Sequence, residues 1–104
     1  MNKVIRHNYK VHFYVQNDVG VMTRINMILR KFGVNIESID VSRAEGTSEF
    51  SNIIMDISCW RDPEKMAIVM RKAERLIPVI RVDCRLTADE TNETDRSEAE
   101  RFDF

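Results

Sequence analysis

Glycine is scarce, with only three in 104 residues. That is too few for a glycine-rich phosphate loop or a dinucleotide fingerprint, both of which need several glycines so that the backbone can approach phosphate oxygens. Paired cysteines are missing as well. Cys59 and Cys84 lie 25 residues apart with no second cysteine or histidine close to either, so the spacing offers no zinc set and reads as two reduced, partly buried thiols in strands. His7 and His12 are the only histidines, and neither lies near a Ser or Cys that it could activate as a nucleophile. An enzyme is therefore not the expectation. No run of 18 apolar residues exists, and Met1-Asn2-Lys3-Val4-Ile5-Arg6 lacks the apolar stretch of a secretory signal, which predicts a cytoplasmic chain without a membrane span. A dominant charge is also absent: 16 basic and 17 acidic side chains leave a net of −1, no field to draw in nucleic acid or an acidic membrane. The balance hides a split, with +4 over residues 1–86 and −5 over residues 87–104.

What is present is one domain's worth of patterned chain. Tyr9, Val11, Phe13 and Val15 alternate with polar or amphipathic residues, the period of two that marks a half-buried strand. After the break Gln16-Asn17-Asp18-Val19-Gly20, the residues Val21, Met22, Ile25, Ile28, Leu29 and Phe32 form the stripe of an amphipathic helix, with Gly33 placed to end it in the left-handed conformation. A strand from Asn35 to Ala44, a turn at 45–49 and a strand from Phe50 to Cys59 read as a hairpin. Asp62 and Pro63 open a second helix with the face Met66, Val69, Met70, Ala73 and Leu76, and a last strand runs from Val79 to Leu86. The order β-α-β-β-α-β predicts an α+β, ferredoxin-like fold: a four-stranded antiparallel sheet in order 4-1-3-2, with two helices on one face. The expected division is an N-terminal extension over 1–8, the domain over 9–86, and an acidic, disordered tail over 87–104. In that strand order the cysteine-bearing strands are two spacings apart, about 9 to 10 Å, too far for a disulfide.

Strand parity directs Val11, Phe13, Val15, Ile39, Val41, Ile53, Met55, Ile57, Ile80, Val82 and Cys84 towards the helices. The other face carries Lys10, His12, Tyr14, Asp40, Asn52, Asp56, Arg81, Asp83 and Arg85, with Phe50 and Ile54 among them. Tyr14, Ile54 and Phe50 are either a modest partner patch or scattered surface hydrophobes. Strand 2 is a sheet edge, ready to pair with its own copy in a second chain.

The segment with the most chemistry is Asn17-Asp18-Val19-Gly20-Val21. Glycine at a strand-to-helix junction admits a ligand close to the backbone, and the amides of Val21 and Met22 at the helix start could hold a carboxylate. Asn17, with Asp18 or Asn35, could supply acceptors for an ammonium group, so the set suits a free amino acid. The alternative is that Asn17 and Asp18 only cap the helix.

The run from Val11 to Ile39 contains Asn17-x-x-Gly20-Val21-Met22-x-Arg24-Ile25 and Gly33-x-Asn35-Ile36-Glu37-Ser38, and it resembles the ACT domain of acetolactate synthase small regulatory subunits, in their short single-domain form. The similarity extends more weakly to Arg85. The resemblance implies an allosteric, non-catalytic subunit that dimerises side by side through strand 2 and the first helices. It implies binding of a branched-chain amino acid at the dimer interface, and control of a catalytic subunit that carries thiamine diphosphate, magnesium and FAD. This chain itself would hold no cofactor or metal. The family's effector residues fall on Asn17, Gly20 and Asn35, with backbone contacts from Val21 and Met22 and with Asp18 in the same loop. Asn35 lies at the far end of the first helix, so it would reach the effector across a two-fold axis, beside the partner's loop. The alternative is a stand-alone amino-acid-binding ACT module that serves another enzyme. Valine, leucine and isoleucine differ by a methylene or its position, worth about 1–3 kcal/mol in an apolar pocket.

Overall fold

Alternation of apolar and polar side chains gives the first strand one buried face, and the rest of the fold assembles against it. The computed structural model describes residues 5–60 and 62–91. The elements are β1 (Ile5–Gln16), α1 (Val21–Lys31), β2 (Asn35–Arg43), β3 (Phe50–Cys59), α2 (Pro63–Glu74) and β4 (Val79–Thr91). They form one antiparallel sheet in the order β2-β3-β1-β4, the ferredoxin-like arrangement expected from the element order. Tyr9, Val11, Phe13 and Val15 of β1 and Ile53, Met55 and Ile57 of β3 are buried beneath Val21, Ile25 and Leu29 of α1 and Met66, Val69, Met70 and Ala73 of α2.

Helix ends are set locally. After α1, Gly33 adopts a φ of +74°, and the Gly33 and Val34 amides donate to the carbonyls of Arg30 and Leu29 at 3.1 and 2.9 Å. This is a Schellman closure, and Val34 then buries its side chain. Asp62 occupies the N-cap of α2 with Pro63 following, but its side chain makes no capping hydrogen bond.

Four expectations need correction. Ile80 does not face the helices: Tyr14 pairs with Arg81 and Val15 with Val79, so a bulge ejects Ile80 into solvent and Val79 fills the buried position. Ile39 and Val41 lie on the helix side, opposite Met55 and Ile53, yet they remain 41% and 54% exposed because two helices cannot cover a four-stranded sheet to its edge. Cys84 is exposed while Cys59 is buried, and no disulfide joins the two. β1 and β4 also run further than the alternation indicated, because Ile5–Asn8 pair with 88–91. The irregularity between the two stretches leaves Thr87 unpaired, and its hydroxyl donates to the Asn8 carbonyl at 2.9 Å. The acidic segment from residue 92 onward lies outside the described residues.

Phe13 is fully buried at the centre of the sheet. Phe13→Ala should cost about 3–5 kcal/mol of stability, measured as a lowered urea midpoint.

Candidate functional site

The β1–α1 loop is held from two sides. The Gln16 amide donates to the Pro78 carbonyl at 2.7 Å and the Asn17 amide to the Glu49 carbonyl at 2.8 Å, which ties the loop to both neighbouring turns. The Asn17 side chain donates to the Ser48 carbonyl at 3.2 Å. No side chain among the described residues caps α1, so the simple capping reading of Asn17 and Asp18 does not describe this loop. Asp18 acts through its backbone: its carbonyl accepts from the Gly20 and Val21 amides at 3.0 and 3.2 Å.

That bond corrects the expected anion site by one residue. The Val21 amide is engaged, whereas the Met22 and Thr23 amides have no acceptor among the described residues. These two remain at the positive end of the helix, where an anion is stabilised. Gly20 has a φ of −156°, extended backbone that any residue adopts, so conformation does not demand glycine. A side chain there would instead meet the Arg24 guanidinium, 3.7 Å from an ideal Cβ. Arg24 thus folds back over the start of its own helix and adds a full positive charge to the amides. Reading the motif alone missed Arg24; the signal was its position one turn after Gly20, from which a helical side chain leans towards the N-terminus.

Asn17, Asp18, Gly20, Val21 and Met22 are brought together; Asn35 is not. Asn35 pairs with Ser58, which pairs with Asn8, whereas the loop follows Gln16. Eight residues of β1 separate these levels, about 27 Å at 3.4 Å per residue. At its own end Asn35 Nδ2 donates to Glu37 Oε2 at 2.8 Å, and the buried Ser58 hydroxyl donates to the same oxygen at 2.8 Å. Glu37 is the extra residue of the irregularity between Ile36 and Ser38, so this clasp anchors the start of the edge strand. The Ser58 bond first, and the Asn35 bond second, hold the Glu37 carboxyl below the ordinary glutamate value.

The open sheet face is polar and largely self-paired. Tyr14 and Phe50 stack with centroids 5.4 Å apart, and Arg81 lies over the Tyr14 ring at 5.5 Å. The imidazole of His12 hydrogen-bonds Asn52 at 2.7 Å, and Lys10 pairs with Asp56 at 3.6 Å. The two aromatics therefore engage each other rather than presenting free stacking platforms for bases. No group of His, Cys, Asp and Glu among the described residues has metal-binding geometry, and no described helix is long and apolar enough to cross a membrane.

Glu37 generates a pH prediction. A carboxyl with a lowered folded-state pKa contributes stability above the ordinary glutamate value of about 4.3, and that contribution is lost as pH falls through the lowered value. Ser58→Ala should raise the Glu37 pKa in a carboxyl NMR titration. The stability gap to the parent in urea melts should then be wide at about pH 7 and narrower at about pH 3.

A family model described as the AHAS small subunit-like ACT domain matches residues 12–81. Among solved structures, the acetolactate synthase small subunit from Thermotoga maritima is similar at 26% identity and a TM-score of 0.61, over 74% of this chain and 46% of that one. The ACT domain of the GTP pyrophosphokinase of Chlorobium tepidum aligns at 18% identity and a TM-score of 0.63, over 77% of this chain and 99% of that one. The C-terminal domain of MgtC from Mycobacterium tuberculosis aligns at 12% identity and a TM-score of 0.66, over 78% and 87%; these last two likenesses bear on the fold alone. No curated protein sequence matches the chain. With 70 of its 104 residues inside the family match, the chain belongs to the family of AHAS small subunit-like ACT domains.

Proposed function

We propose that this chain is a non-catalytic regulatory subunit of acetolactate synthase, which binds a branched-chain amino acid between two copies of itself and thereby controls the catalytic subunit. The observation that carries the reading is the separation of the loop and Asn35 at opposite ends of a sheet whose β2 edge is uncovered. Antiparallel pairing of β2 with β2 of a second copy, about a two-fold axis, reverses the partner's strand. Asn35 of the second copy then stands at the level of the 17–22 loop, on the same side of the interface. Each dimer has two such sites, each made by both chains.

The chemistry fits a free amino acid. The Met22 and Thr23 amides and the Arg24 guanidinium supply positive potential for a carboxylate. Asn17 and Asp18, with Asn35 of the other copy, supply acceptors for an ammonium group. Ile39 and Val41 of β2 and the 64% exposed Met27 of α1 provide the apolar surface that the second copy covers and against which a branched side chain can rest. Ligand binding is then linked to dimer geometry, and through it to the partner enzyme, by the differential affinity of the two arrangements. Thiamine diphosphate, magnesium and FAD belong to the catalytic subunit in this reading, and the regulatory chain carries no cofactor.

The parent chain should sediment at twice 12.2 kDa and give heat on titration with valine, leucine or isoleucine. Val41→Asp, at an exposed edge position where the fold loses about 1 kcal/mol or less, should sediment as a monomer with its circular dichroism intact and should no longer bind these amino acids. A monomeric parent that binds all three would contradict the shared site. Capture of a thiamine-diphosphate enzyme by the tagged chain supports the acetolactate synthase assignment, whereas capture of another amino-acid-controlled enzyme supports a stand-alone module.

A further inference from the structure

Tyr9 presents a problem that the effector site does not solve. The residue is 5% exposed, and its hydroxyl is buried without a hydrogen-bond partner among the described residues. A phenylalanine would fill the same place in the core without stranding a polar atom, so the hydroxyl weakens the fold as it stands. Burial pushes its pKa up to about 12, which keeps it neutral and able to donate at physiological pH.

Tyr9 lines a groove of about 370 Å³ between α2 and β4, walled by Met66 and Met70 on the helix and Leu86 on the strand, with Arg71 and Glu74 also on its lining. That volume is in the range of small-molecule sites and an order of magnitude above the ~30 Å³ of one water. The walls are apolar, and methionine side chains adapt to the shape of an occupant. Arg71 and Glu74 are exposed and make no ion pair among the described residues. The groove therefore combines three features: a cation at the surface, an apolar middle and, covered beneath its Tyr9 wall, an unsatisfied neutral hydroxyl.

We propose that this groove is a second ligand site, which takes a small carboxylic acid with an apolar body and a polar group at its far end. The carboxylate sits on Arg71, the body lies against Met66, Met70 and Leu86, and the distal hydroxyl or carbonyl reaches the Tyr9 hydroxyl once the adaptable side chains that cover it give way. Glu74, one turn from Arg71, disfavours a second negative charge and so limits the ligand to a monoanion. The groove borders β4, at the opposite edge of the sheet from β2. It stays open whether or not the chain dimerises through β2, and the site does not depend on the effector reading.

Two probes that differ by one hydroxyl test it: 4-hydroxyphenylacetate and phenylacetate, titrated into the full chain and followed by calorimetry and backbone NMR shifts. The hydroxylated acid should bind at about 1 mM or tighter and at least fivefold more tightly than phenylacetate, with shifts in α2 and β4 rather than in residues 17–22. In Tyr9→Phe the two acids should bind equally while the midpoint of thermal unfolding rises, because the stranded hydroxyl is gone. Arg71→Gln should weaken both acids at least fivefold with the fold unchanged. Equal affinity of the two acids for the parent chain, discrimination that survives Tyr9→Phe, or no binding of either acid would each overturn the proposal.

Discussion

A crossover through α1 carries the chain from the end of β1 to the start of β2, and most of what is distinctive about this chain depends on it. The helix must begin where β1 stops and finish at the other end of the sheet, so its positive terminus and the strand that follows it are separated by the length of the domain. Two crossovers supply two helices, and these cover the middle strands while the edge strand β2 stays exposed at every position but Ile36. The topology therefore places a loop with two open helix amides at one end, Asn35 at the other, and an edge between them that is unpaired among the described residues. In the dimer we propose, a second copy answers all three features at once.

Local chemistry then tunes each end. At the loop, backbone hydrogen bonds from Gln16 and Asn17 tie it to the Pro78 and Glu49 segments, and that from Gly20 closes it on Asp18, which together fix the direction of the first turn of α1. Such preorganisation lowers the cost of ordering a binding loop. At the far end, Glu37 gathers the hydroxyl of Ser58 and the amide of Asn35 on one carboxylate oxygen. Because that clasp holds Asn35 through its Nδ2, the Oδ1 atom is the one that the proposed site would use as an acceptor.

Much of this was legible in the residue pattern. Tyr9-x-Val11-x-Phe13-x-Val15 and the stripe from Val21 to Phe32 named β1, α1 and their buried faces, because burial on one side imposes a period that the sequence cannot hide. Gly33 and Pro63 marked helix boundaries for reasons of backbone geometry alone. The failures have a common cause: they depend on tertiary position rather than period. Ile39 and Val41 have the parity of core residues, and only the reach of the helices decides that they stay exposed. Ile80 was misplaced because a bulge shifts parity by one, and no residue type announces it. Within the candidate site, the 17–22 segment was visible as a cluster in the chain, with Asn35 as one possible acceptor, and the resemblance to acetolactate synthase small subunits gave Asn35 its place across the dimer axis. Which amides remained unpaired, and the position of the Arg24 guanidinium over Gly20, required coordinates.

The central claim is that each effector site is made by two chains, and a mixed dimer tests it directly. Gly20→Asp places a carboxylate beside Arg24 in a backbone conformation that accepts it, and Asn35→Ala removes the complementary amide while Ser58 still holds Glu37. Each variant alone should bind no valine. A heterodimer of the two, purified through different tags and titrated calorimetrically, should bind one valine per dimer, because one of its two sites then has both Gly20 and Asn35. A heterodimer that binds none would show that each site is confined to a single chain.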